Sequence, residues 1–76
     1  MNANNNIANR IKISRKVAEL THQELADRVG AALITIVRWE NPESGRNPNT
    51  VMINELAEKM NTSARYLMGL EDMPEK

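Results

Sequence analysis

Four side chains in the stretch GAALITIVRWE (residues 30–40) suit the recognition of another macromolecule. If the stretch is helical, Ile34 and Arg38 share one face because they lie four residues apart. Leu33 and Val37 flank that face. An arginine can donate two hydrogen bonds to O6 and N7 of guanine, and aliphatic side chains contact the methyl group of thymine. Exposed aliphatic residues on a short helix are also typical of a helix that binds in a protein groove. The stretch therefore predicts a surface that binds DNA or a protein partner.

No combination of residues in the chain predicts catalysis. His22 is the single histidine, and no carboxylate or second ligand lies at a sequence spacing that suits acid–base chemistry or metal binding. The sequence has no Gly-rich phosphate loop, no metal-ligand cluster and no nucleophile beside a base. We therefore expect a protein that is not an enzyme, with no cofactor, no metal and no small-molecule substrate.

Length and composition limit the class of protein. A chain of 76 residues without cysteine forms one small domain with no disulfides, so its core must be apolar. No apolar run approaches membrane-spanning length, and the start MNANNNIANR is polar. We expect a cytoplasmic protein that does not contact a membrane.

Charge is balanced over the whole chain but not along it. The formal net charge is zero, whereas nucleic-acid-binding domains are often strongly basic. Residues 1–38 carry six basic and three acidic side chains, and residues 39–76 carry four basic and seven acidic. Such a chain can present a locally positive face to phosphate without a basic total.

The first helix is expected at residues 5–19 and contains an arginine on its inward face. Arg15 lies four residues after the inward Ile11. An unpaired buried charge is prohibitive, so this arginine needs an acidic partner. Glu40 leans toward the core from the end of the third helix and is the expected partner.

The segment LTHQELADRVG contains the boundaries of a second helix. Thr21 as the N-cap and Glu24 three residues later form a capping box. Leu20 and Leu25 form the accompanying hydrophobic staple, and Gly30 supplies the left-handed end.

Three further short helices are expected, giving an all-α fold. In the third, Ile36 and Trp39 face the core, on the side opposite the predicted binding surface. Leu33 lies close to Ile36 around the helix, so it can alternatively belong to the core. The turn-rich loop NPESGRNPN precedes a fourth helix capped by Asn49, and Ser63 caps a fifth.

Several positions in these helices resemble the phage repressor and Cro family (XRE family) of DNA-binding domains. The similar features are Arg15 in helix 1, LTHQELADRVG, TIVRWEN, Pro48 before helix 4, and LAEKMNTSARYLMGL. The resemblance covers residues 7–70. It implies a compact five-helix, lambda-repressor-like domain whose helix-turn-helix inserts helix 3 into the major groove of double-stranded DNA. It also implies that Arg15 pairs with Glu40.

The resemblance assigns roles at the DNA surface. Base contacts are expected from Leu33, Ile34, Val37 and Arg38. Phosphate contacts are expected at the start of helix 2 and in the loop after helix 3, from His22, Gln23, Asn41 and Arg46. Apart from the resemblance, Thr35 on helix 3 and Arg10 on helix 1 are also expected to contact phosphate. Arg10, Lys12 and Lys16 either approach phosphate or form a solvated basic face of helix 1.

Three features depart from the family pattern. His22 replaces the usual glutamine, and the loop NPESGRNP is longer than the common version. Ala32 stands where Ser or Thr usually caps helix 3. That missing cap costs about 1 kcal/mol and removes one phosphate donor.

The predicted organisation is a flexible leader at residues 1–5, a DNA-binding domain at residues 6–70 and a polar tail at residues 71–76. One short helix covers few base pairs, so we expect a weak homodimer formed on a DNA operator. Met68, Leu70 and Met73 either form the subunit contact or cover the protein's own core.

The predicted function is a sequence-specific transcriptional regulator, a repressor of phage or prophage type. The alternative is a protein-interaction module on the same fold, which binds a partner through the apolar face of helix 3.

Overall fold

The computed structural model describes residues 3–70, with side chains described from residue 7 onward. Within this part of the chain, five α-helices and one short 3-10 helix form, and no strand. The elements are α1 (Ala3–Val17), α2 (His22–Val29), α3 (Leu33–Trp39), the 3-10 helix (Pro42–Ser44), α4 (Thr50–Lys59) and α5 (Ala64–Leu67). The predicted all-α class is confirmed. No helix among the described residues is both long and apolar enough to cross a membrane.

Both ends of α1 differ from the sequence-based expectation. The helix begins at Ala3 and ends at Val17, two residues earlier at each end than predicted. Residues 3–5, which belong to the predicted leader at residues 1–5, lie in the first turn of α1. Residues 1 and 2 and the predicted tail at 71–76, with Met73, lie outside the described residues. The C-terminal end differs from the prediction because the left-handed position after the helix, φ 61°, is occupied by Glu19 rather than by glycine.

The predicted caps are present at three helices. The Thr21 hydroxyl accepts from the Glu24 backbone N–H at 3.0 Å, and the Glu24 carboxylate accepts from the Thr21 backbone N–H at 2.9 Å. Gly30 ends α2 at φ 71°, a conformation that side chains disfavour. Asn49 and Ser63 cap α4 and α5 through their side-chain oxygens.

The core takes a fully buried aliphatic side chain from every helix. These side chains are Ile11, Leu25, Ile36, Leu56 and Leu67, in the order of the helices. Because all five belong to one cluster, the orientation of the short α3 depends on the packing of the other four helices.

Candidate nucleic-acid interface

The outward side of α3 exposes the residues that the sequence predicts as a binding surface. Leu33, Ile34 and Val37 are 43%, 52% and 40% exposed, and Arg38 is also exposed. We call these four residues the α3 surface. Leu33 is therefore not part of the core, which was the alternative left by its position around the helix.

The inward side of α3 and the short turn before it fix the direction of the α3 surface. Ile36 is completely buried and Trp39 is 9% exposed. Three residues, 30–32, separate α2 from α3, and the Ala31 backbone N–H donates to the carbonyl of Ala26 at 3.0 Å. Ala32 has the extended backbone of an N-cap, φ −74° and ψ 151°, but its side chain makes no capping hydrogen bond. Packing rather than capping therefore holds α3 in place.

The structure brings together Arg15 and Glu40, the pair predicted from the sequence. Arg15 Nε donates to Glu40 Oε2 at 2.7 Å and Nη2 donates to Oε1 at 3.1 Å. The third donor, Nη1, contacts the backbone carbonyl of Leu20 at 2.9 Å. The two side chains are 10% and 3% exposed, so this bidentate pair is a buried connection between α1 and the end of α3.

Glu40 has a second partner that the sequence pattern does not indicate. His22 Nε2 lies 3.1 Å from Glu40 Oε1 and donates when it carries the proton. The expectation that no carboxylate lies at a spacing suited to His22 is therefore wrong. His22 and Glu40 are 18 residues apart in the sequence, and they meet only because α2 packs against α3. The phosphate contact expected of His22 stays a prediction. The Nε2 atom of its ring already contacts Glu40.

A groove lies beside α3 on the side of α1. It is lined by Lys12 and Lys16 of α1, by His22, by Val37 of the α3 surface, and by Asn41 and Pro42, with Arg15 and Glu40 also at its wall. Its volume is about 510 Å³. We call it the α1-side groove. The groove thus places basic side chains of α1 beside an apolar residue of α3.

A smaller cleft lies between α3 and the loop that follows it. Thr35, Arg38, Trp39, Arg46 and Asn47 line this loop-side cleft, which has a volume of about 180 Å³. The structure thus brings together three residues predicted to contact DNA: Thr35, Arg38 and Arg46.

The hydroxyl of Ser44 connects the two sides of the loop-side cleft. The Ser44 hydroxyl donates to the carbonyl of Arg38 at 2.6 Å and accepts from the backbone N–H of Arg46 at 3.1 Å. The loop is therefore connected to the last turn of α3, and Arg46 is held near Arg38.

Gln23 and Asn41, two other residues predicted to contact phosphate, already make hydrogen bonds within the protein. Gln23 is exposed at the start of α2, where its amide donates to Asp27 at 3.0 Å. Asn41 caps the 3-10 helix by accepting from the Glu43 backbone N–H at 3.0 Å. That bond uses the side-chain oxygen of Asn41 and leaves its amide NH₂, the group that a phosphate would accept from, outside the cap.

Arg10 has a structural contact that its predicted role did not include. Its Nη1 donates to the backbone carbonyl of Tyr66 at 3.0 Å, and its guanidinium lies 4.6 Å from the centre of the Tyr66 ring. The side chain is partly buried and joins α1 to α5. We therefore do not keep Arg10 among the proposed phosphate contacts.

The groove, the cleft and the α3 surface together form one continuous candidate interface around a short helix. Comparisons of the chain with protein-family models, with curated proteins and with solved structures found no match.

Proposed function

We propose that this protein is a sequence-specific DNA-binding transcriptional regulator of repressor type. In this proposal α2, the turn at 30–32 and α3 act as a helix-turn-helix, and α3 enters the major groove. The observation that carries the proposal is the α3 surface, where three aliphatic side chains and an arginine are exposed together on a helix whose opposite side is anchored in the core. The sequence resemblance to the phage repressor and Cro family supports the same function.

The chemistry of the α3 surface suits direct contact with bases. Arg38 can donate to O6 and N7 of one guanine, and Ile34 with its neighbours can pack on thymine methyl groups. The expected target therefore contains thymines close to a guanine.

The loop-side cleft suits contact with the DNA backbone. Arg46 and the hydroxyl of Thr35 can donate to phosphate oxygens, which position a protein on the duplex without specifying its sequence. The Ser44 hydroxyl connects the loop to the last turn of α3. A phosphate bound in the loop-side cleft therefore also determines which base pair Arg38 contacts.

A selection from random duplex DNA tests the proposal. The purified protein is mixed with the pool at moderate salt, and the bound fraction is sequenced over successive rounds. We expect enrichment of one motif, arranged with two-fold symmetry. A folded, monodisperse sample that enriches no motif would contradict the proposed function.

A second candidate function is a protein-interaction module, which the exposed Leu33, Ile34 and Val37 favour. Replacing thymine by uracil, which lacks the methyl group, distinguishes the two functions. On a selected motif, replacing thymine by uracil should weaken binding by the wild-type protein and have little effect on an Ile34→Ala variant. Equal binding of both duplexes by the wild type would remove Ile34 from the base contacts and favour a protein partner for this surface.

A further inference from the structure

Two lysines of α1 give the α1-side groove a positive charge. Lys12 and Lys16 are exposed and lie four residues apart, so they line the groove from successive turns of the helix. Among the described residues, neither makes an ion pair. The acidic group at the groove, Glu40, is only 3% exposed and accepts from Arg15 at both oxygens. The buried pair is neutral as a unit, and the two lysines remain as uncompensated charge.

The groove and the loop-side cleft lie on opposite sides of α3. Val37 borders the groove and Thr35 borders the cleft. Two residues apart on a helix, these side chains point about 160° away from each other. The α3 surface is therefore a ridge with Lys12 and Lys16 on one side and Arg46 on the other.

We propose that the α1-side groove binds the phosphodiester backbone of DNA through Lys12 and Lys16; this inference rests on the proposed function. The major groove of B-DNA is about 12 Å wide and is bordered by a phosphate backbone on each side. A helix inserted there has one backbone on each flank. Arg46 meets one backbone from the loop-side cleft, and Lys12 and Lys16 meet the other.

The location of the lysines favours this assignment over a solvated face of α1. They border a depression shared with Val37 of the α3 surface, His22 and Asn41. A fully solvated face would be separated from the other predicted contacts. The adjoining amide of Asn41 adds an uncharged donor, which suits a phosphate oxygen. Lysine binds phosphate as a point charge without a fixed geometry, so the contact adds affinity and no base preference.

The salt dependence of DNA binding tests the inference. Lys12→Gln and Lys16→Gln remove one charge each and keep a polar side chain of similar length. Lys59→Gln, in the last turn of α4 and outside both depressions, is the matched control. Affinity for the selected duplex and for a random duplex is measured at several salt concentrations, and thermal unfolding of every variant checks the fold.

We expect each groove variant to lower the magnitude of the slope of log K against log salt by about 0.9. Each should weaken binding to both duplexes to a similar extent, because a phosphate contact is independent of sequence. Lys59→Gln should keep the wild-type slope. Groove variants that retain the wild-type slope and affinity, while the wild type binds DNA, would overturn this inference alone. A wild-type protein that binds no duplex would overturn the proposed function and this inference together.

Inorganic phosphate distinguishes a DNA backbone site from a site for a free anion. Titration of the wild-type protein with phosphate, followed by NMR chemical shifts, should give no saturable binding at low millimolar concentration. Saturable binding that Lys16→Gln abolishes, with DNA binding unchanged, would assign the groove to a free anion and overturn the inference.

Discussion

Arg15 is the single residue whose replacement should destabilise the protein most clearly. Arg15→Met should lower the free energy of unfolding by about 3–5 kcal/mol, because it leaves Glu40 buried without its main partner. Of the residues that the structure describes, His22 alone then remains within hydrogen-bond distance of that carboxylate. Urea unfolding measures the loss.

The double variant Arg15→Met with Glu40→Leu is the control for this prediction. It removes both charges and should recover most of the lost stability, because apolar residues often replace a buried ion pair at little cost. A melting temperature of Arg15→Met equal to that of the wild type would contradict the expected role of the pair.

Arg38 is the residue that should contribute most to base specificity. Arg38→Ala should weaken binding to the selected duplex by about 1–3 kcal/mol, the value of one bidentate contact with guanine. Arg28→Ala, an exposed arginine in the last turn of α2 outside both depressions, is the matched control. Unchanged affinity of Arg38→Ala, with the fold intact, would remove Arg38 from the base contacts.

At the scale of the helices, α3 has too few residues to be stable by itself. It has seven residues and no side-chain cap, whereas isolated helices shorter than about 12–15 residues are marginal in water. Its helical structure must come from the burial of Ile36 and Trp39 and from the short connection to α2. The α3 surface therefore exists only in the folded domain.

The missing cap of α3 predicts a stabilising substitution. Ala32→Ser should raise the free energy of unfolding by about 1 kcal/mol, because residue 32 already has the backbone angles of an N-cap. Urea unfolding measures the gain. Ala31→Ser is the control and should not stabilise, because Ala31 packs against the core rather than at the cap. An Ala32→Ser protein no more stable than the wild type would show that the start of α3 does not limit stability.

At the scale of the whole molecule, an apolar area near α5 is available for association. Met68 and Leu70 are 38% and 60% exposed, so each leaves apolar surface that a second copy of the chain could contact. A small area of this kind suits the weak homodimer expected from the sequence rather than a permanent one.

The oligomeric state on DNA tests this expectation. Sedimentation should give a monomer at micromolar concentration and two copies on a duplex that contains a symmetric motif. Leu70→Ser should lower the cooperativity of binding, whereas Val51→Ser, at a more exposed valine on α4, should not. A single copy on the symmetric duplex would contradict the dimer.

The sequence by itself determined the helices and most of their boundaries. Thr21, Glu24 and Gly30 determine the ends of α2 because capping is a local interaction among neighbouring residues. The inward position of Arg15 also followed from helical periodicity, and its need for an acid pointed to Glu40. The end of α1 does not follow from the sequence, because Glu19 is not a residue type that typically takes a left-handed conformation.

Only the tertiary structure decided the other contacts between side chains that are far apart in the chain. His22 joins Glu40, Arg10 joins Tyr66, and Lys12 and Lys16 come beside Val37. Periodicity gives the face of a helix on which a residue lies but not the neighbour that this face meets. That neighbour depends on how five helices pack around one core, a property of side chains far apart in the chain.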